Sequence, residues 1–266
     1  MLKDKTIFLF DIDGTLAVDK SLYRGTKELL SHIRDNGGQV FFVTNNSTKS
    51  RRDYVAKFAD WGLETTSEQF VTASYATCRY LKKHYDGRKI FAVGTPSFTA
   101  ELEEWGVDVA ETAAENIACV VVGFDATLTY QKAADSCKLL FREEVDYIAT
   151  NPDYRCPSAF GFIPDCGAIC EMLRVTTGRE PLFVGKPNRE IVDLCRLAAK
   201  GKNEDIIVVG DRLYTDIACG INAGVETALV FTGEAKPEDL GRTEYPPTYT
   251  FDTIYEFYQA LCHEKE

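Results

Sequence analysis

Four consecutive apolar residues, Ile7-Phe8-Leu9-Phe10, run straight into the string Asp11-Ile12-Asp13-Gly14-Thr15. A short apolar run bounded by charge reads as a strand buried on both faces, the situation of a parallel sheet covered by helices. Open α/β sheets bind their ligands just outside the carboxyl ends of such strands. Residues i and i+2 of an extended segment point to the same side, so Asp11 and Asp13 are expected to face one crevice. Gly14 lets the chain turn immediately after them. Two carboxylates held that close repel each other unless a cation or a proton lies between them.

The pattern of an apolar run ending in polar residues recurs three times. Val40-Phe41-Phe42-Val43 stops at Thr44-Asn45-Asn46-Ser47-Thr48, just ahead of a helical pattern. Hydroxyls, amides and free N–H groups at a helix start suit an anion such as phosphate, and equally suit an ordinary N-cap. Pro181-Leu182-Phe183-Val184 leads into Gly185-Lys186-Pro187, which places a lysine at the tip of an apolar strand. Asp205-Ile206-Ile207-Val208-Val209 leads into Gly210-Asp211, and Asp216 follows at the start of a helix. Carboxylate oxygens in that position suit Mg²⁺, which takes a few protein oxygens and keeps several waters.

Strand and helix patterns alternate through nearly the whole chain, which predicts an α/β fold with a parallel sheet. Helices are expected over 27–35, 49–61, 74–84, 98–105, 130–143, 167–175, 189–199, 216–222 and 253–262. The stretch 84–180 has its own alternating pattern and lies between the second and third of the polar strand ends. It either continues one sheet or forms an inserted domain.

The composition is that of an ordinary globular protein, with 45% hydrophobic and 27% charged residues. No apolar stretch approaches the roughly 18 residues of a membrane span, and the apolar segment near the N-terminus is too short for a signal peptide. A cytoplasmic location is expected. A net charge of −11 argues against a nucleic-acid polymer or an anionic membrane as partner. Any site for a phosphate must then draw its positive field from local groups. The nine cysteines include no CxxC pair and read as free thiols rather than disulfides or a zinc site. The three histidines, His32, His84 and His263, lie away from the strand ends, which argues against a histidine-based mechanism.

In chain order the strings DxDGT, apolar-TNN, GKP and GDxxxxD resemble the haloacid dehalogenase (HAD) superfamily, and its phosphatase branch in particular. The long insertion, with the TNN, TNPD and GKP strings, is similar to class IIA, the NagD-like and p-nitrophenylphosphatase-like enzymes. The resemblance covers essentially the whole chain. It implies a Rossmann-like parallel-sheet core from residues 1–83 and 181–266, with a C2-type α/β cap domain at 84–180.

It also implies a Mg²⁺-dependent phosphatase that acts through an aspartyl-phosphate. The substrate would be a small-molecule phosphate monoester, such as a sugar phosphate, nucleoside monophosphate or aryl phosphate. Asp11 would be the nucleophile, and Asp13 the acid for the leaving group and then the base for water. Mg²⁺ would be held by Asp11, the Asp13 main-chain carbonyl and Asp211, with Asp216 behind them. Thr44, the Asn45 backbone and Lys186 would hold the phosphoryl oxygens. An acid must hold its proton at neutral pH, by burial or by a neighbouring carboxylate. An acid two residues after the nucleophile serves phosphoryl transfer, whereas a dehalogenase has no need of one. A phosphomutase would share these groups. A receiver-type signalling module shares an aspartate, Thr, Lys and Mg²⁺, but has no use for so large an insertion. Leaving-group specificity is expected from loops of the insertion, with Asn151, Tyr154 and Arg155 as candidates and Phe162-Ile163-Pro164-Asp165-Cys166-Gly167 as a second stretch.

Overall fold

The structure, a computed structural model, describes residues 1–158 and 160–263. From the N-terminus the elements are β1 (Ile7–Phe10), β2 (Ala17–Val18), β3 (Ser21–Leu22), α1 (Thr26–Asp35), β4 (Gln39–Thr44), α2 (Arg51–Asp60), β5 (Phe70–Thr72) and α3 (Ala73–Tyr85). Next come β6 (Lys89–Val93), α4 (Pro96–Glu104), β7 (Asp108–Ala110), β8 (Ile117–Val122), α5 (Tyr130–Leu140), β9 (Asp146–Ala149), β10 (Arg155–Ser158), β11 (Gly161–Pro164) and α6 (Cys166–Thr177). The chain ends with β12 (Leu182–Phe183), α7 (Glu190–Ala199), β13 (Ile206–Gly210), α8 (Ala218–Ala223), β14 (Glu226–Val230), β15 (Tyr249–Phe251) and α9 (Ile254–His263). No helix among the described residues is long and apolar enough to cross a membrane.

The chain forms two compact units. The first comprises Met1–Thr44, Val55–Val71 and the chain from Lys186 onward. Its sheet runs β15-β14-β13-β1-β4-β5. β1 lies in the interior, parallel to β13 on one side and β4 on the other, with Ile7 opposite Ile206 and Gln39. All four β1 residues are buried, which is why the run is apolar without alternation. Helix α1 turns Leu29, Leu30 and Ile33 inward. Phe58 of α2 packs with Phe42 and Phe70, ring centroids 4.5 and 5.0 Å away, which fixes the helix against the sheet.

The second unit comprises Asn45–Tyr54 and Thr72–Gly185. Its sheet has the order β12-β9-β8-β6-β7, parallel at each pairing. β8 is buried along all six residues. Val120 and Val122 share a core with Phe124, Leu139, Leu140, Ile169 and Leu173. An antiparallel hairpin, β10 with β11, belongs to this unit.

The division falls at other residues than the expected 84–180. Helix α3 goes with the second unit because Tyr75 packs against Trp105, centroids 5.2 Å apart, and Arg51 lies over both rings. The strand before Lys186 also belongs there, since Leu182 and Phe183 pair with Ile148 and Ala149 of β9. Lys186 therefore enters the first unit from a strand of the other sheet. The short strands β2, β3, β5, β7 and β15 have no counterpart in the sequence reading, because two or three residues carry no measurable period. All nine cysteines are free.

Candidate active site

The carboxyl ends of β1 and β13 bring the charged residues of the first unit together. Asp11 follows β1 directly, and its N–H donates to the Val209 carbonyl at 2.9 Å. Asp211 follows β13, and Asp216 sits in a single π-helical turn, Leu213–Ile217, that precedes α8. One carboxylate oxygen from each of Asp11, Asp211 and Asp216 lies within 4.8 Å of the others. Lys186 is buried among them. Its Nζ donates to Asp11 Oδ1 at 2.7 Å, Asp216 Oδ1 at 2.5 Å and the Val43 carbonyl at 3.1 Å.

Backbone and hydroxyl donors hold the two carboxylates beyond β13. Asp211 accepts from the Glu234 N–H at 2.8 Å and from Thr15 Oγ1 at 3.3 Å. Asp216 accepts from the Arg212 N–H at 3.1 Å. The close packing explains the glycines here. Gly14 has φ +101°, and a Cβ there would come within 2.7 Å of the Asp211 carboxylate. A Cβ on Gly233 would come within 1.9 Å of Asp211 Oδ2.

The electrostatics show an excess of negative charge. Burial raises Asp11 well above the usual carboxylate range, Asp216 and Asp211 add to the effect, and Lys186 opposes it. Burial, reinforced by Asp216, pushes Asp211 up to about 6, with Arg212 and the Glu234 N–H pulling the other way. Burial alone would lower Lys186, yet Asp11 and Asp216 hold it above its ordinary value. One ammonium thus faces three carboxylates. Oxygen donors alone, in excess over the positive charge beside them, suit a hard divalent cation such as Mg²⁺. Among the described residues this is the single group of three or more such side chains close enough to hold a metal.

Of the two expected ways for Asp13 to hold a proton, burial or a neighbouring carboxylate, burial is not what the structure gives. The Asp13 side chain is 42% exposed and stands outside the three-carboxylate group, with Lys57 Nζ 3.1 Å from Oδ1. Lys57 does not stand out in the sequence, because it lies in a polar stretch of helix where nothing distinguishes it from a solvated lysine. Asp216, expected behind the metal ligands, is both a member of the carboxylate group and a partner of Lys186.

Thr44 is buried at the end of β4, in the first unit. Asn45 begins the second unit and is also buried. Its Nδ2 donates to Asp153 Oδ2 at 3.0 Å, and its carbonyl accepts from Asn151 Nδ2 at 2.7 Å. The side-chain amide of Asn45 is therefore engaged within that unit. Asn151 is buried, donates also to Thr150 Oγ1 at 3.2 Å and accepts from the Asp153 N–H at 3.0 Å. Tyr154 is 61% exposed, and the Arg155 guanidinium lies 4.5 Å from the Phe162 ring centroid. The three specificity candidates are thus unlike one another. Asn151→Ala would remove the donor to the buried Asn45 carbonyl and the acceptor of the buried Asp153 N–H, at about 1–3 kcal/mol each. A fall in Tm of roughly 5–15 °C is expected, whereas Tyr154→Ala should leave Tm nearly unchanged; thermal unfolding of the two variants checks this.

Residues 8–108 match the family described as haloacid dehalogenase-like hydrolase, and residues 183–257 match one described as HAD-hydrolase-like. The acid sugar phosphatase of Staphylococcus haemolyticus is 33% identical over 253 residues, covering 95% of each chain. The 4-nitrophenylphosphatase of Thermotoga maritima superposes with a TM-score of 0.92 at 38% identity, over 98% of each chain. A glycerol phosphate phosphatase from Mycobacterium tuberculosis, solved in complex with magnesium, gives a TM-score of 0.90 at 26% identity, over 97% of this chain and 78% of that one. With the carboxylates, lysine and strand ends in place, these likenesses show that the chain belongs to the haloacid dehalogenase superfamily, in the class IIA branch of NagD-like and p-nitrophenylphosphatase-like enzymes.

Proposed function

We propose that this phosphoric monoester hydrolase is a Mg²⁺-dependent phosphatase that works through an aspartyl-phosphate on Asp11. Its substrate class is the small-molecule phosphate monoester: a sugar phosphate, a nucleoside monophosphate or an aryl phosphate. The observation that carries the reading is the Asp11 carboxylate beside β1, 2.7 Å from Lys186 Nζ and grouped with Asp211 and Asp216. Magnesium in the Mycobacterium tuberculosis enzyme supports the choice of metal. When bound, Mg²⁺ would be held by Asp11, Asp211 and the Asp13 main-chain carbonyl, and would offset repulsion between the carboxylates and the phosphate dianion.

The chain's own residues supply the chemistry. Lys186 holds Asp11 Oδ1, which presents Oδ2 for attack on phosphorus. An O–P bond forms there as the bond to the leaving oxygen breaks, and Asp13 gives that oxygen a proton. Asp13 then takes a proton from the water that attacks the phosphoenzyme, which releases inorganic phosphate and restores Asp11. Lys186, the Thr44 hydroxyl and the Asn45 N–H hold the phosphoryl oxygens as charge shifts. The second unit would act as the cap, with Tyr154 and Arg155 as its candidates for leaving-group selection. The free thiols fit a reducing compartment, the cytoplasm.

Phosphate release across a panel of these esters, with and without Mg²⁺, tests the proposal. Inorganic phosphate from a sugar phosphate is the expected product, and an isomerised sugar phosphate would mean a mutase instead. Asp13→Asn should lower the phosphorylation rate of an alkyl phosphate by about 10²–10⁴-fold. The loss should be much smaller for p-nitrophenyl phosphate, whose leaving group needs no proton. Equal losses on both substrates would remove Asp13 from the acid role.

A further inference from the structure

We propose that Lys57 is a positioning residue for Asp13, holding one carboxyl oxygen so that the other is presented to the leaving group. The inference rests on the acid–base role of Asp13 set out above. Lys57 Nζ donates to Asp13 Oδ1 at 3.1 Å. Among the described residues Asp13 Oδ2 has no hydrogen-bond partner, so the two oxygens are already distinguished. With Oδ1 held by Lys57, Oδ2 is the oxygen turned to the leaving group and then to the attacking water.

An exposed ion pair usually does little, since ordering two mobile side chains offsets the Coulomb gain. This pair differs because both ends are tied to one frame. Phe58, the next residue to Lys57, sits in the ring cluster with Phe42 and Phe70, which fixes how α2 presents its neighbours. The Lys57 ammonium lies 4.8 Å from the centroid of the Trp61 ring, in the turn that follows the helix. Trp61 Nε1 in turn donates to the Lys20 carbonyl at 2.7 Å, in the turn between β2 and β3. That hairpin follows directly on the catalytic segment, and Asp13 bridges to Ala17, the first residue of β2. The contacts therefore close a ring, from Asp13 through the hairpin to Trp61, Lys57 and back to Asp13. Lys57 is 18% exposed within it. Such a ring holds the carboxyl group in one orientation, the condition under which a proton donor acts without a search.

The test compares Lys57→Ala, Lys57→Met and Lys57→Arg with Asp13→Asn, on an alkyl phosphate and on p-nitrophenyl phosphate. Lys57→Met keeps the side-chain stem over Trp61 and removes the charge, so it serves where Lys57→Ala folds poorly. Expected for the neutral variants is a kcat loss of about 10–100-fold on the alkyl phosphate, a part of what a misplaced acid forfeits. The loss on p-nitrophenyl phosphate should stay within about threefold and KM within about twofold, as for an interaction made only in the transition state. Lys57→Arg should recover most of the alkyl rate. Combined with Asp13→Asn, loss of Lys57 should cost no more than about twofold further, because the two residues act as one unit. Equal losses on both substrates, losses that multiply in the double variant, or an effect confined to KM would each overturn the assignment. If Asp13→Asn itself shows no leaving-group preference, the acid role fails and the role of Lys57 falls with it. If Asp13→Asn discriminates and the Lys57 variants do not, the assignment of Lys57 alone is wrong.

Discussion

Asp11→Asn is expected to turn over at less than about a hundredth of the wild-type rate on every phosphate ester, the loss that follows when a covalent step has no nucleophile. The same variant should fold at least as well as the wild type when metal is chelated. Burial and two neighbouring carboxylates raise Asp11, so its charged form is disfavoured in the folded protein. Removing that charge relieves the folded state, and Lys186 keeps its contact with Asp216. A Tm in EDTA equal to or above that of the wild type, together with lost turnover, is the expected pair of results. Turnover above a hundredth would mean that another group attacks phosphorus. A collapse in Tm would mean that the carboxylate is structural.

Lys186→Ala should have the largest effect on stability. It removes the donor shared by Asp11, Asp216 and the Val43 carbonyl. Breaking a buried ion pair by deleting one partner costs about 3–5 kcal/mol, because the remaining charge stays buried. In a protein of this size that corresponds to roughly 6–20 °C in Tm. The drop should be greatest in EDTA and smaller with Mg²⁺, which would supply positive charge to the same carboxylates. Activity should fall through both KM and kcat, since the ammonium is assigned to the phosphate in ground and transition states alike. Thermal unfolding in the two buffers gives the first result and steady-state kinetics the second. An unchanged Tm in EDTA would contradict the burial of this lysine among carboxylates.

The strands that carry the site were legible for a reason particular to them. β1 and β13 are buried along their whole length, and such strands write themselves as unbroken apolar runs. The residues at their ends, Asp11 and Asp211, then stand out by contrast. Hairpin β10–β11 was invisible because Pro157, Gly161 and Pro164 read as turn residues. Asn151 was placed at the right strand end, but its neighbourhood decides its work. Its amide serves the Asn45 carbonyl, 106 residues away in sequence.

Two matters are written in the chain's own pattern: the alternation that requires parallel α/β sheets, and the polar residues that interrupt it at the strand ends. Both are local, set by side-chain period and by which residues interrupt it. The partition into units and the partners of each charge were decided by tertiary structure alone. The boundary at Asn45 depends on hydrogen bonds to Asp153 and, through Ser47, to Thr150, 108 and 103 residues away. The pairing of Asp13 with Lys57, 44 residues away, depends on how three phenylalanines seat helix α2. A sequence records which groups are present; only packing brings distant ones within hydrogen-bonding distance, and that distance determines which charges are buried together.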